Sequence, residues 1–265
     1  MLRSPKFKMS ESDTFLSHLV ELRQRLVRAL AVVLIFLLCL FPWAREIYAI
    51  LAMPMLEAMP KGGQMIATDV IGPFLVPLKV TMLVAFVAAL PYVLYQAWAF
   101  VAPGLYMHEK SLVLPLVITS FLLFLVGMAF AYFFVFPVIF KFMSSVAPEG
   151  VAWMTDIDKY FSFVLTTFIA FGVTFEVPVV VIVLVRSNLV TIEKLKEARP
   201  YVIVGAFVIA AVFTPPDVIS QFLLAVPLCL LYELGILVSR FFVNKTTAPA
   251  DTEVASQQTG GGSSP

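Results

Sequence analysis

From Ser111 to Phe140 the chain runs for 30 residues without an Asp, Glu, Lys, Arg or His. As a helix that stretch would be about 45 Å long at ~1.5 Å per residue. A bilayer's hydrocarbon core is about 30 Å thick. The segment is long enough to span with residues to spare, so it is expected to tilt or protrude. Such a run is not isolated. Hydrophobic residues make up 61% of the 265 and charged residues 13%, against about 25% charge in soluble domains. The expected fold class is therefore all-α, a polytopic membrane protein.

Six spans are predicted, at about 27–41, 80–101, 111–140, 160–185, 201–213 and 218–238. Pro42-Trp43 ends the first, and Lys79 can snorkel at the start of the second. The last two helices are expected to be short. The fifth has 13 residues between Pro200 and Thr214-Pro215-Pro216-Asp217. The sixth runs from Phe222 to Tyr232 before Glu233 interrupts it. Two short neighbouring spans thin the bilayer locally or pack against partners. Residues 1–9 read as a flexible basic N-terminus, 10–245 as the membrane domain, and 246–265, rich in Thr, Ser, Gln, Gly and Pro, as a disordered tail. The basic start lacks the apolar core and cleavage site of a signal peptide, so the first span is expected to stay as an anchor.

Lys and Arg set the orientation. With the N-terminus cytoplasmic, 13 of the 18 lie on the cytoplasmic side. Only Arg45, Lys61, Lys79, Lys141 and Lys159 lie outside. Both termini are expected in the cytoplasm of a cell with this protein in its plasma (inner) membrane. The larger loops, 42–79 and 141–159, face outward.

A net charge of +1 does not point to nucleic acid. Cys39 and Cys229 sit in apolar runs and read as packing residues. No CxxC, zinc or haem spacing exists, and His18 and His108 lack partners at ligand spacing. Ser, His and acid residues do not converge, and no phosphate-binding loop exists. No metal, cofactor or enzymatic activity is expected.

The informative residues are the polar ones in apolar surroundings. Ser10 to Leu26 has an apolar helical face of Phe15, Leu16, Leu19, Leu22 and Leu26, as an interfacial helix would, with Ser10 or Ser12 as cap. Lipid accounts for its arginines but not for Glu21. Glu109 lies in a short turn beside Trp98, Phe100 and Tyr106. It reads either as a solvated loop charge or, with Glu21 at the same membrane face, as an acceptor of guanidinium groups. Glu176 is the one acidic, basic or imidazole side chain from Tyr160 to Val185. A carboxylate there is expensive and marks a functional candidate. Pro178 frees the Thr174 carbonyl and makes a polar notch. The alternative is a protonated Glu176 bonded to a neighbouring span. Asp217 reads as a helix N-cap. Thr214 and Gln221 add a small polar cluster or a packing notch at the same end.

Taken in order, these residues resemble a known family. His18-Leu19-Val20-Glu21-Leu22-Arg23-Gln24-Arg25-Leu26 is followed by Thr68-Asp69-Val70, by Tyr95-Gln96-Ala97-Trp98-Ala99-Phe100-Val101-Ala102-Pro103, and by Gly127 to Tyr132. Then come Phe171-Gly172-Val173-Thr174-Phe175-Glu176-Val177-Pro178, Arg199-Pro200-Tyr201 and Thr214-Pro215-Pro216-Asp217. Each motif alone is weak, but the ordered set, covering about 10–244, resembles the TatC family, the core membrane subunit of the twin-arginine translocase. The resemblance implies a concave, glove-like six-helix protein. It implies a receptor for signal peptides with consecutive arginines on folded cargo, driven by the proton-motive force. Glu21 and Glu109 would form the signal-peptide site, with Arg23, Arg25 and Phe100 nearby. Glu176 would be the intramembrane polar residue. Single-span TatA- and TatB-type subunits would dock near Thr214 and Gln221. Other copies of the chain and membrane lipid are further partners. The competing expectation is a proton-coupled secondary transporter using Glu176, against which stand the lack of an internal repeat and the single deep carboxylate.

Overall fold

The computed structural model describes residues 11–58, 64–105, 113–146, 154–187, 189–214 and 217–243. Among them, five helical runs are long and apolar enough to cross a membrane: Leu19–Met53, Gly72–Phe100, Val113–Ser145, Ile157–Arg186 and Val218–Arg240. Arg199–Phe213 is a shorter apolar helix. The chain is a multi-pass membrane protein of the all-α class. It folds as two compact units, divided after Ile169.

The first unit begins with α1 (Glu11–Leu40), in which the amphipathic segment and the first span form one unbroken helix. Ser12, one of the two expected caps, therefore lies inside it. Pro42 tightens the chain rather than ending it. It sits at the start of a 3-10 turn, Phe41–Trp43, after which α2 (Ala44–Ala58) resumes. A proline is tolerated there because first-turn N–H groups have no helical partner to lose. The second span is α3 (Gly72–Leu105), 34 residues long. α1 packs along α3, and α3 also packs against α2. Buried Ala29, Ala85 and Ala89 are small enough to let helices approach closely.

The third span is not one regular helix. α4 (Val113–Phe130) passes into a π turn, Ala131–Val135, before α5 (Phe136–Val146). Pro137 has no N–H for the Phe133 carbonyl and its ring crowds that oxygen. The helix widens, and the Phe136 N–H reaches back to the Ala131 carbonyl. Aromatic rings stack beyond the turn. Phe136 lies 5.7 Å from Phe140, 6.1 Å from Phe163 and 5.1 Å from Phe168. Phe140 and Phe161 both meet Tyr160, and Phe161 lies 4.7 Å from Tyr48 of α2. Such pairs contribute about 0.5–1.5 kcal/mol each beyond their burial.

Two short strands complete the unit: β1 (Gln64–Ile66) and β2 (Met154–Asp156), paired in parallel with Gln64 opposite Met154. β1 precedes α3 and β2 follows α5, so both connecting segments lie on one side of the membrane, with two crossings between them. Asp156 locks this ribbon. Its carboxylate accepts from the Thr68 N–H (3.1 Å) and hydroxyl, and from the N–H groups of Asp158 (2.9 Å) and Lys159 (3.1 Å). It thereby caps α6 (Ile157–Phe175). Beside it, Lys79 pairs with Asp158 at 2.6 Å.

The second unit holds the end of α6, then α7 (Val177–Arg186), α8 (Ile192–Glu197), α9 (Arg199–Phe213) and α10 (Val218–Val243). α10 packs against α7, α8 and α9. Gly235 makes the α7 approach possible: a Cβ there would lie 3.0 Å from both the Pro178 Cα and the Val181 Cβ. Val181, Val185, Leu195, Tyr232 and Ile236 form one buried cluster. The Tyr232 hydroxyl donates to the Leu195 carbonyl at 2.8 Å. α9 buries only Ala206 and Ala210, while Phe207 meets Phe222 edge-on at 5.1 Å. α9 is short, with 15 residues. α10 extends to 26, beyond the apolar stretch, because Glu233 does not interrupt it. That carboxylate accepts from Arg199 at 2.7 Å.

Candidate functional site

Glu21 and Arg25 are one turn apart on α1, a spacing that brings their side chains together. Arg25 directs Nη2 (2.6 Å) and Nε (2.9 Å) onto one oxygen of Glu21, Oε1. Both groups are partly withdrawn from solvent, with side-chain exposures of 21% and 35% for Arg25 and Glu21. The guanidinium also reaches α3, where its Nη1 donates to Gln96 Oε1 at 3.3 Å. Gln96 is buried and donates through Nε2 to the Tyr92 hydroxyl at 2.7 Å. One turn of α1 is thus tied to α3 by a chain of four polar side chains.

The same end of α3 is anchored to α4, where Trp98 Nε1 donates to the buried Ser120 hydroxyl at 3.0 Å. Phe100 follows two residues later on α3 and is half-buried. Arg23 is exposed. Two residues from Glu21, it lies about 200° round the helix, away from the Glu21–Arg25 pair. Glu109 lies outside the described residues. Of the five residues expected at this rim, Glu21 and Arg25 are therefore directly joined.

Sequence reading missed Gln96 and Tyr92 as members. The signal was present. Gln96 is the lone amide within the apolar second span, and a buried amide needs partners.

In the second unit, Glu176 occupies the break between α6 and α7. Its N–H donates to the Val173 carbonyl at 3.1 Å, and its own carbonyl accepts from Val180 at 3.0 Å. Pro178 sits in the first turn of α7, consistent with a helix restarted by proline. Both carboxylate oxygens of Glu176 are buried in the protein.

Thr214 closes α9, its hydroxyl donating to the Ala210 carbonyl at 2.8 Å. Asp217 caps α10, accepting from the Ser220 N–H at 2.7 Å. The Gln221 N–H donates to the Asp217 carbonyl at 3.2 Å in the first turn. Thr214 and Gln221 thus flank the same α9–α10 connection.

The family model for the Sec-independent protein translocase protein (TatC) matches residues 17–227. The chain belongs to the TatC family. It is 50% identical over 239 residues to the Escherichia coli K12 Sec-independent protein translocase protein TatC, covering 89% of this chain and 93% of that one. It is 54% identical over 220 residues to the Azotobacter chroococcum TatC, covering 83% and 86%. A crystal structure of a twin-arginine translocase receptor TatC superposes with a TM-score of 0.76 at 40% identity, over 84% of this chain and 98% of that one. As a TatC-family member, the chain is a membrane component of a Sec-independent protein translocase.

Proposed function

We propose that this TatC-family chain is the receptor and assembly core of its translocase. It captures signal peptides bearing consecutive arginines at a cytoplasmic rim formed by Glu21 and Glu109, with Arg23, Arg25 and Phe100 nearby. Folded cargo then crosses the inner membrane on the proton-motive force. Both termini lie in the cytoplasm. Single-span TatA- and TatB-type subunits dock by Thr214 and Gln221, and Glu176 supplies a deep polar position for the inserted peptide or a partner helix.

The observation that carries this reading is the state of Glu21. Its carboxylate sits half-buried within α1, near the start of the apolar run Leu19–Met53, and already receives a guanidinium, that of Arg25. The site is chemically suited to arginine, with bidentate or forked donation to carboxylate oxygen.

The test is photocrosslinking of a peptide with paired arginines and an apolar stretch to membranes holding this chain. Glu21→Ala with Glu109→Ala is expected to abolish the crosslink. An undiminished crosslink in the double variant overturns the receptor site.

A further inference from the structure

Arg25 does not consume Glu21. Both of its donations fall on Oε1. Among the described residues, Oε2 has no hydrogen-bond partner. Arg25 is also held from the far side by Gln96, itself buried and bonded to Tyr92. The Glu21 carboxylate is therefore fixed in direction and its net charge is compensated in place.

We propose that Arg25 is a specificity-determining positioning residue that makes Glu21 select arginine over lysine. The proposal rests on the receptor reading above. An ammonium is attracted mainly as a compact, strongly hydrated point charge. Beside a Glu21–Arg25 pair of zero net charge it gains little to offset its lost hydration. A guanidinium is more weakly hydrated and carries its N–H groups in a rigid planar fork. It can place a directed hydrogen bond on the oriented Oε2 without needing the full carboxylate charge. Without Arg25, Glu21 becomes a bare anion on a side chain free to turn, and either cation satisfies it.

The experiment uses the full-length protein in nanodiscs and two labelled peptides that differ only in Arg-Arg or Lys-Lys before the same apolar stretch. The readout is the ratio of the two Kd values. Arg25→Gln is expected to shrink that preference about tenfold, equivalent to about 1.4 kcal/mol, mainly by tightening the Lys-Lys peptide. Gln96→Leu leaves the ion pair but removes its far tether. It is expected to move the ratio in the same direction by a smaller factor, and it decides the matter if Arg25→Gln does not fold. A ratio unchanged in the folded variant overturns the role of Arg25. Glu21→Gln separates the two levels of the argument. If it weakens Arg-Arg binding while the Arg25 variant keeps its selectivity, only the Arg25 proposal fails. If Glu21→Gln binds both peptides as the parent does, the receptor site itself fails and the proposal with it.

Discussion

Asp156 gathers four hydrogen bonds onto one exposed carboxylate. The Thr68 hydroxyl is the largest cause, then the Lys159 N–H, and together with the others they lower its pKa from 3.8 to about 2. A carboxyl held lower when folded stabilises above its unfolded pKa and loses that contribution as pH falls through the folded one. The lock should thus be indifferent to pH between 8 and 5 and release between about pH 4 and pH 2. Amide exchange at Thr68 and Asp158, corrected for intrinsic rates, checks this. Asp156→Ala should speed exchange at both amides already at pH 7. Residues of this kind were unevenly legible. Asp217 after two prolines announced a cap from sequence, because capping is local. The cap that Asp156 places on α6 is just as local, but its tie to Thr68 was not readable, since the two are 88 residues apart. The Glu21–Arg25 spacing is local and readable, whereas Gln96 joins them only through helix packing.

At the scale of elements, the π turn before Phe136 poses a choice between backbone and packing. Pro137→Ala would restore a donor and let the turn contract to regular helix. The recovered hydrogen bond is worth about 0.5–1.5 kcal/mol. Contraction by one residue would rotate α5, and Phe136 with it, by about 100°, away from Phe163 and Phe168 on α6, pairs worth about 0.5–1.5 kcal/mol each. Packing wins, so Pro137→Ala should keep the turn and change stability by less than about 1 kcal/mol. Phe136→Ala, which opens a cavity among the rings, should cost about 3 kcal/mol. Thermal unfolding in detergent separates the two. The apolar length of this span was evident in the sequence. The turn was not, because Pro137 marks a disturbance without saying whether the helix kinks, stops or widens. Likewise, Glu233 looked like an interruption of α10 until Arg199 supplied its counter-charge.

For the whole molecule, the two compact units predict separable stability. Gly235→Ala would press a methyl against Pro178 and Val181 and should cost about 1–3 kcal/mol, as overpacking does. Hydrogen exchange should rise in α7, α9 and α10 while α3 and the aromatic layer of the first unit stay protected. Equal acceleration in both units would show that they unfold together. The all-α membrane class was readable because a lipid core admits few solutions to long apolar runs. The β1–β2 ribbon was not, since three-residue strands carry no usable periodicity. Yet that ribbon has a consequence for how the protein is made. Its paired residues Gln64 and Met154 are 90 positions apart, and parallel strands need a crossover connection. Here the crossover is two traverses of the bilayer, first α3 and then α4 with α5. During synthesis β1 must wait until both have been threaded in opposite directions. A nascent chain with either span misplaced delivers β2 to the wrong compartment, so closure of the ribbon is a built-in record of correct insertion.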